Sequence, residues 1–298
     1  MNEIENNIYR IAAECGIDLI GVVNFDLYQK HKAVIFDNYK NKSLAFFDGV
    51  LLDRFDYTKE WAPTKSIISF ALSYNSLVEF NTLSNKIRIA RVSWGEDYHL
   101  VLYKYAEKFM HMFNSIYPCS YHIGIDSELL LDKVCAYCAG LGFYGKNGLI
   151  LNPIYGSYIF LGHILLDIEI SSSATFMENQ CNECSKCIDV CYNNCYNGGQ
   201  FNYNNCISYK TQIGADYSHS KYIYGCDMCQ EVCPFNINAI YSTHKEFTPC
   251  HELIEFDLDN FINDADVKDK YANCSCSWVG ESILKNNARK LLNNKKYF

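Results

Sequence analysis

Eight of the sixteen cysteines in this 298-residue chain fall in two runs, and no other feature restricts the fold so sharply. The first run is Cys181, Cys184, Cys187 and Cys191, spaced C-x2-C-x2-C-x3-C. The second is Cys206, Cys226, Cys229 and Cys233, its last three spaced C-x2-C-x3-C, with Pro234 following. Two-residue gaps let a tight loop turn three sulfurs toward one [4Fe-4S] cubane, while the cysteine after the x3 gap faces a neighbouring cluster. Two such runs supply the eight thiolates that two clusters need, so the chain is expected to move single electrons.

Other uses of cysteine compete with this one. Disulfides need an oxidising compartment, yet the opening MNEIENNIYR holds two Glu and no apolar stretch of a secretory signal, so a cytoplasmic address is expected. Zinc sites also use C-x2-C pairs, but zinc ribbons pair two such knuckles and do not run C-x2-C-x2-C-x3-C. By the crossed logic of two-cluster ferredoxins, Cys181, Cys184 and Cys187 share one cluster with Cys233, and Cys206, Cys226 and Cys229 share the other with Cys191. The first run departs from the usual form, because Tyr192 follows Cys191 where Pro is usual and Cys195 is close enough to compete for the same iron.

A chain 49% hydrophobic can hold one sizeable core and a smaller unit. No stretch approaches ~18 uninterrupted apolar residues, so no membrane-spanning helix is expected. The formal charge of −8 weighs against a broad nucleic-acid surface. The basic patches KNNARK and NNKKYF near the C-terminus read as a solvated helix face and a frayed tail.

Along the chain, Ile4, Ile8, Ile11, Ala12 and Cys15 recur at helical spacing, Gly16 stops the pattern, and IDLIGVV follows as a strand. After a variable polar stretch reaching Pro63, SIISFALSY reads as a second buried strand. DYHLVLYKYAEKFMHMF, from Asp97, carries a long amphipathic helix. A short strand around 120–125 ends at Asp126, where DSELLLDKVCAYCAGLG begins another helix with Asp126 near its cap. GLI and SYIFLGHILLDIEI then read as a hairpin or adjacent strands. Alternating helices and strands up to about Ile170 make an α/β domain with a three-layer core. FTPCHELIEFDLDNFINDADVKDK reads as short acidic helices and loops, and SWVGESILKNNARKLLNN as one helix or a helical pair. Cys274 and Cys276 read as plain thiols, and Cys135 and Cys138 as small core residues on a helix.

Clusters do no bond chemistry themselves, so an attached α/β domain is expected to hold a second redox centre. No GxGxxG sits at a strand-to-helix junction, which lowers the odds of a nicotinamide site. The nearest glycine-rich element is AGLGFYGKN, Ala139–Asn147. Its glycines fit a helix C-cap and turn, or a loop whose backbone closely approaches a polar cofactor; the sequence leaves both open.

Taken together, RVSWGEDYH (91–99), IDSELLLDK (125–133), AGLGFYGKN, GSYIFLG (156–162), CISY (206–209), YGCDMCQEVCPFN (224–236) and the eight cysteines resemble the epoxyqueuosine reductase family over about residues 1–240. The resemblance implies a reductase that uses cobalamin and two [4Fe-4S] clusters to remove the epoxide oxygen of epoxyqueuosine at the tRNA wobble position, the last step in making queuosine. It implies an α+β architecture: a nitroreductase-like α/β cobalamin-binding domain at 1–175, a ferredoxin-like double-cluster domain at 176–240, and a short helical segment at 241–298. Family members place a helical-repeat region in that last position, of which SILKNNARKLLNN resembles a single helix. Asp126 matches the family's proton donor in a motif that normally reads V-D-T-x-P-x-L-E-R. Here Leu129, Asp132 and Lys133 replace the Pro, Glu and Arg. On the residues alone, Asp126 fits a helix N-cap equally well.

The resemblance also assigns Trp94, Asp97, Tyr98, His99, Asp126, Gly142, Gly145, Lys146, Asn147 and Ser157 to cobalamin contact. The partners it implies are tRNA carrying epoxyqueuosine in its anticodon arm and an unidentified low-potential electron donor, with the protein a monomer. The alternatives are a corrinoid reductase of another substrate, such as a dehalogenase-like enzyme, and an electron-transfer iron-sulfur protein without cobalamin.

Overall fold

The computed structural model of the chain describes residues 2–30, 56–77, 87–127, 129–197, 200–217, 220–249 and 257–293. The polar stretch at 31–55, residues 250–256 of the acidic segment and the 294–298 end of the NNKKYF tail lie outside the described residues. The chain forms two compact units. One joins Met1–Ser73 to His99–Glu183, and the other joins Tyr74–Tyr98 to Cys184–Phe298.

In the first unit, α1 (Glu3–Cys15) begins with a capping box. Asn2 Oδ1 accepts the Glu5 N–H at 2.9 Å, and Glu5 Oε2 accepts the Asn2 N–H at 3.3 Å. The strands of the unit are β1 (Leu19–Val22), β2 (Ser66–Ser73), β3 (Tyr121–Gly124), β4 (Phe143–Tyr144), β5 (Ile150–Leu151) and β6 (Ile159–Leu166), with helices α2 (Tyr98–Ile116) and α3 (Asp132–Cys138). The main sheet runs β1-β2-β6-β3 with every neighbouring pair antiparallel. All eight positions of β2 are buried. Its Ile67, Ile68, Phe70 and Leu72 each contribute about 1.5–3 kcal/mol by leaving water.

Cross-strand partners share a face. Ile67, Ala71 and Leu165 therefore line one side, and there they pack in a single cluster with Val134, Cys135 and Cys138 of α3. Ile68, Phe70, Ile164 and Leu166 line the other, where Tyr121 of β3 sits opposite Leu166 and its hydroxyl donates to Glu107 of α2 at 3.3 Å. The layers are helix, sheet, helix. Gly21 of β1 is where the first helix layer meets the sheet edge, since a Cβ there would lie 2.2 Å from the Ala139 carbonyl oxygen. Gly21→Ala is accordingly expected to cost about 1–3 kcal/mol, read as a lower denaturant midpoint with an unchanged slope.

The strand pairing at GLI differs from the expectation. Ile150–Leu151 pairs with Phe143–Tyr144, giving the β4–β5 hairpin, whereas the SYIFLGHILL run supplies β6 at the centre of the main sheet. Seven of the eight positions of β6 are buried, so the strand needs partners on both edges, and β2 and β3 provide them.

In the second unit, Arg88–Ile89 runs parallel to Tyr222–Tyr224, so residues ahead of both cysteine runs share a ladder with the segment between Cys206 and Cys226. Short helices punctuate the cysteine-rich stretch: Lys186–Asp189, α4 (Ile207–Gln212), Met228–Glu231 and Pro234–Ile237, the last with Pro at its first position. The core gathers Ile89, Trp94, Ile223, Tyr271 and Cys276 against Leu284, Ala288 and Leu291 of α5 (Glu281–Asn293). KNNARK is therefore not a freely solvated face. Asn287 and Ala288 are fully buried, Lys285 Nζ donates to Asp264 O at 2.7 Å, and Lys290 Nζ donates to Ala215 O at 3.1 Å. The amphipathic spacing places the asparagine and alanine of that basic run on the inner side of the helix. Among the described residues no helix is long and apolar enough to cross a membrane.

Candidate functional site

Leaving β3, the chain turns sharply at Asp126, which takes the left-handed backbone conformation at φ 49°. That region disfavours most side chains but tolerates Asp, and such turns concentrate at functional sites. The helix expected to start at Asp126 begins instead at Asp132, with Leu131 in the capping position. The N-cap reading of Asp126 is thereby removed. Oδ2 lies 3.4 Å from His99 Nε2 in the first turn of α2; the His99 side chain is half-buried and that of Asp126 is exposed.

The loop that carries Asp126 is pinned on both sides. The neighbouring Ser127 hydroxyl donates to Glu60 Oε2 and itself accepts the Leu129 N–H at 3.1 Å. Glu60 Oε1 meets His122 Nε2 at 3.0 Å, and Leu130 is wholly buried in the core. Glu60 caps the end of a 3-10 turn, Tyr57–Lys59, whose start is held by Asp56. The changed family positions also have partners: Asp132 Oδ1 binds the fully buried His163 Nε2 at 3.0 Å, and Lys133 Nζ donates to Gly148 O at 3.1 Å.

AGLGFYGKN serves the α3 terminus first. Gly140, at φ 74°, donates to Tyr137 O, and Leu141 donates to Ala136 O, which is a Schellman cap. Gly142 and Gly145 then lie against β5, where a Cβ would meet Leu151 O at 2.5 Å and Leu151 Cδ1 at 2.6 Å respectively. The helix-cap reading thus describes Gly140, whereas Gly142 and Gly145 are required by close packing on β5. Lys146 Nζ donates to Asn182 O at 2.6 Å, inside the first cysteine loop. Asn147 is buried; its Oδ1 accepts from Leu149 N, but Nδ2 has no hydrogen-bond partner among the described residues. Ser157 is buried in the turn that enters β6.

In the second unit, Trp94 is buried in the core, and its indole N–H donates to Ile89 O at 2.7 Å with Arg91 stacked 4.8 Å from the ring centre. Asp97 donates its backbone N–H to Asn273 O at 2.8 Å, and Tyr98 opens α2 half-buried. Burial, then the nearby Cys206 and Asp227, pushes the Cys229 thiol up. Burial likewise raises Cys226, with Cys229 and Cys206 among its charged neighbours. Cys187 and Cys191 also act on Cys229, so cysteines of both runs bear on this thiol. Asp227, buried between two of them, is pushed up to about 7 by desolvation, opposed by the Arg91 backbone N–H at 2.7 Å. Cys181 belongs to the first unit. Among the described residues no three His, Cys, Asp or Glu side chains close on a single ion. A cubane, by contrast, takes one thiolate per iron.

A family model described as epoxyqueuosine reductase QueG, DUF1730, matches residues 54–127, and one described as a 4Fe-4S double cluster binding domain matches residues 180–236. The chain is 30% identical to an epoxyqueuosine reductase of Lactococcus garvieae, covering 99% of this chain and 88% of that one. It is 31% identical to one of Bacillus anthracis, over 96% and 79%. The chain belongs to the epoxyqueuosine reductase family. Among solved structures, an epoxyqueuosine reductase with a tRNA-Tyr epoxyqueuosine-modified tRNA stem loop superposes at a TM-score of 0.85, with 27% identity over 99% of this chain and 83% of that one. The Bacillus subtilis enzyme, with its catalytic aspartate loop swung out of the active site, superposes at 0.84, with 28% identity over 99% and 82%.

The family is an oxidoreductase family, and the chain carries its iron-sulfur domain as expected. Glu60, His122 and Ser127 escaped the sequence reading. Ser127 adjoins Asp126 and was within reach, but nothing near Glu60 in the chain marks it as a partner of a loop so distant in sequence.

Proposed function

We propose that this chain reduces epoxyqueuosine to queuosine in the anticodon arm of tRNA, at a cobalamin held by the first unit and supplied with electrons through two [4Fe-4S] clusters. The observation that carries the reading is Asp126: a carboxyl group on a left-handed turn beside His99, on a loop pinned by Glu60 and Leu130. The family likeness, and the tRNA stem loop bound by one structural relative, support the substrate.

The buried, unpartnered Asn147 Nδ2 fits a cofactor that brings a polar acceptor, because a buried donor left alone costs about 1–3 kcal/mol. His99, Gly142, Gly145, Lys146, Asn147 and Ser157 would hold cobalamin within a nitroreductase-like fold; Trp94, Asp97 and Tyr98 are carried over from the family alone. When bound and reduced, that group supplies a strongly nucleophilic cobalt able to attack an epoxide carbon. Charge then builds on the epoxide oxygen, and Asp126 delivers a proton to it as general acid. His99 steadies the carboxyl between turnovers. Cys181, Cys184, Cys187 and Cys233 ligate one cluster, and Cys191, Cys206, Cys226 and Cys229 the other. The protein works in the cytoplasm as a monomer and draws on a low-potential donor.

Deleting the gene is expected to leave epoxyqueuosine in place of queuosine in digested tRNA, and an unchanged nucleoside profile rejects the proposal. Glu60→Ala is expected to lower kcat by about 10- to 100-fold through misplacement of the Asp126 loop. Glu60→Gln, which keeps an acceptor for the Ser127 hydroxyl, retains most activity when kcat is measured in the same way.

A further inference from the structure

One residue of β6 stands at both roots of the loop that carries Asp126. The loop leaves β3 after Gly124 and enters α3 at Asp132. In the main sheet Gly124 lies opposite His163, and His163 Nε2 reaches Asp132 Oδ1 at 3.0 Å. The register extends this row across all four strands as Gly21, Ser69, His163 and Gly124. Cross-strand partners share a face, and the glycines show which one. A Cβ on Gly21 would meet Ala139 O at 2.2 Å, and one on Gly124 would meet Leu130 Cδ1 at 2.8 Å. The row therefore lies under the end of α3 and the last residues of the Asp126 loop.

Packing does not account for an imidazole in that row. His163 is fully buried, and neither its Nδ1 nor the buried Ser69 Oγ opposite has a hydrogen-bond partner among the described residues. A buried polar atom left alone is costly, and an apolar side chain would avoid the cost. What the ring gains is its grip on Asp132. Leu131, in the capping position of α3, supplies no side-chain hydrogen bond, so the first turn of the helix is tied to the sheet through Asp132. We propose that His163 is a positioning residue for the Asp126 carboxyl: by holding Asp132 on β6, opposite Gly124, it fixes the span between the two ends of the loop. Glu60 pins the middle of the loop at Ser127, and His163 sets its ends.

The inference rests on the proposed role of Asp126, and two measurements on the full chain keep the claims apart. Amide hydrogen exchange over 129–138 needs neither substrate nor cobalamin, and it reads the first turn of α3, where the Val134 and Cys135 N–H groups donate to Leu131 O. His163→Leu is expected to speed that exchange by about tenfold or more and leave peptides of α1 and β1 unchanged. In protein carrying clusters and cobalamin, its single-turnover rate is expected to fall by about 10- to 100-fold with KM for tRNA unchanged. His163→Gln keeps a side-chain N–H near the place of Nε2 and is expected to restore both values. Should Leu unfold the sheet, Asp132→Ala cuts the same bond from the helix side and is expected to give the same two changes. A parent chain that leaves epoxyqueuosine untouched, with faster exchange in His163→Leu and none in His163→Gln, sinks the proposed reaction and leaves the anchor standing. Parent-like exchange in both His163→Leu and Asp132→Ala overturns the anchor, and so does an active parent whose rate those variants match.

Discussion

Asp126→Asn is expected to lower turnover by about two to four orders of magnitude while the iron count and cobalamin binding stay unchanged. The substitution isolates the proton. Asn has the same shape, tolerates the left-handed φ of 49° as Asp does, and keeps an oxygen within reach of His99, so neither turn nor loop is disturbed. Ser127 still reaches Glu60, and Leu130 still fills the core. What is lost is the group that donates to the oxygen of the opening epoxide. Digestion of epoxyqueuosine-bearing tRNA after a single turnover, with the nucleosides separated, reads the loss directly. Full activity in the Asn variant would take Asp126 out of the mechanism. Asp126→Leu is the poorer experiment, because a branched residue at positive φ strains the loop as well.

Elements governed by local pattern were legible. The helical spacing of Ile4 to Cys15 and the Gly16 stop mark α1, and the run SIISFALS became the buried strand β2, because spacing and stops act within a turn or two of chain. Misreadings came where a distant partner decides. DSELLLDK has the composition of a helix start, yet Ser127 is drawn to Glu60 and Asp132 to His163, so helix begins only at Asp132. SYIFLGHILL reads as one arm of a hairpin, or a strand adjacent to GLI, until β2 and β3 take both its edges. The cysteine runs were the most legible part of the site, since cluster chemistry constrains sequence spacing itself. The Glu60–Ser127–His122 contact was the least, because a hydrogen bond between remote segments leaves no period behind.

The same distinction governs α5, where the basic run KNNARK concealed a structural residue. Asn287 is fully buried and donates through Nδ2 to Thr211 O at 2.8 Å and to Ile223 O at 2.9 Å. Thr211 closes α4, which follows Cys206, and Ile223 lies in the strand that precedes Cys226, so one amide clamps both approaches to the second cluster. Asn287→Ala removes the donor from two buried carbonyls. At about 1–3 kcal/mol for each, less a few tenths regained in helix propensity, the expected cost is roughly 2–5 kcal/mol, a large share of a stability of about 5–15. Denaturant unfolding of the reconstituted protein should show a lower midpoint, and the iron count should fall toward about four as the second site loosens. Asn287→Asp gives the sharper comparison. It keeps the shape but turns a carboxylate oxygen toward two carbonyls, so it must bury either a charge or a single proton shared among three oxygens. It is expected to be less stable than Ala; equal stability of all three chains would show that the clamp contributes nothing.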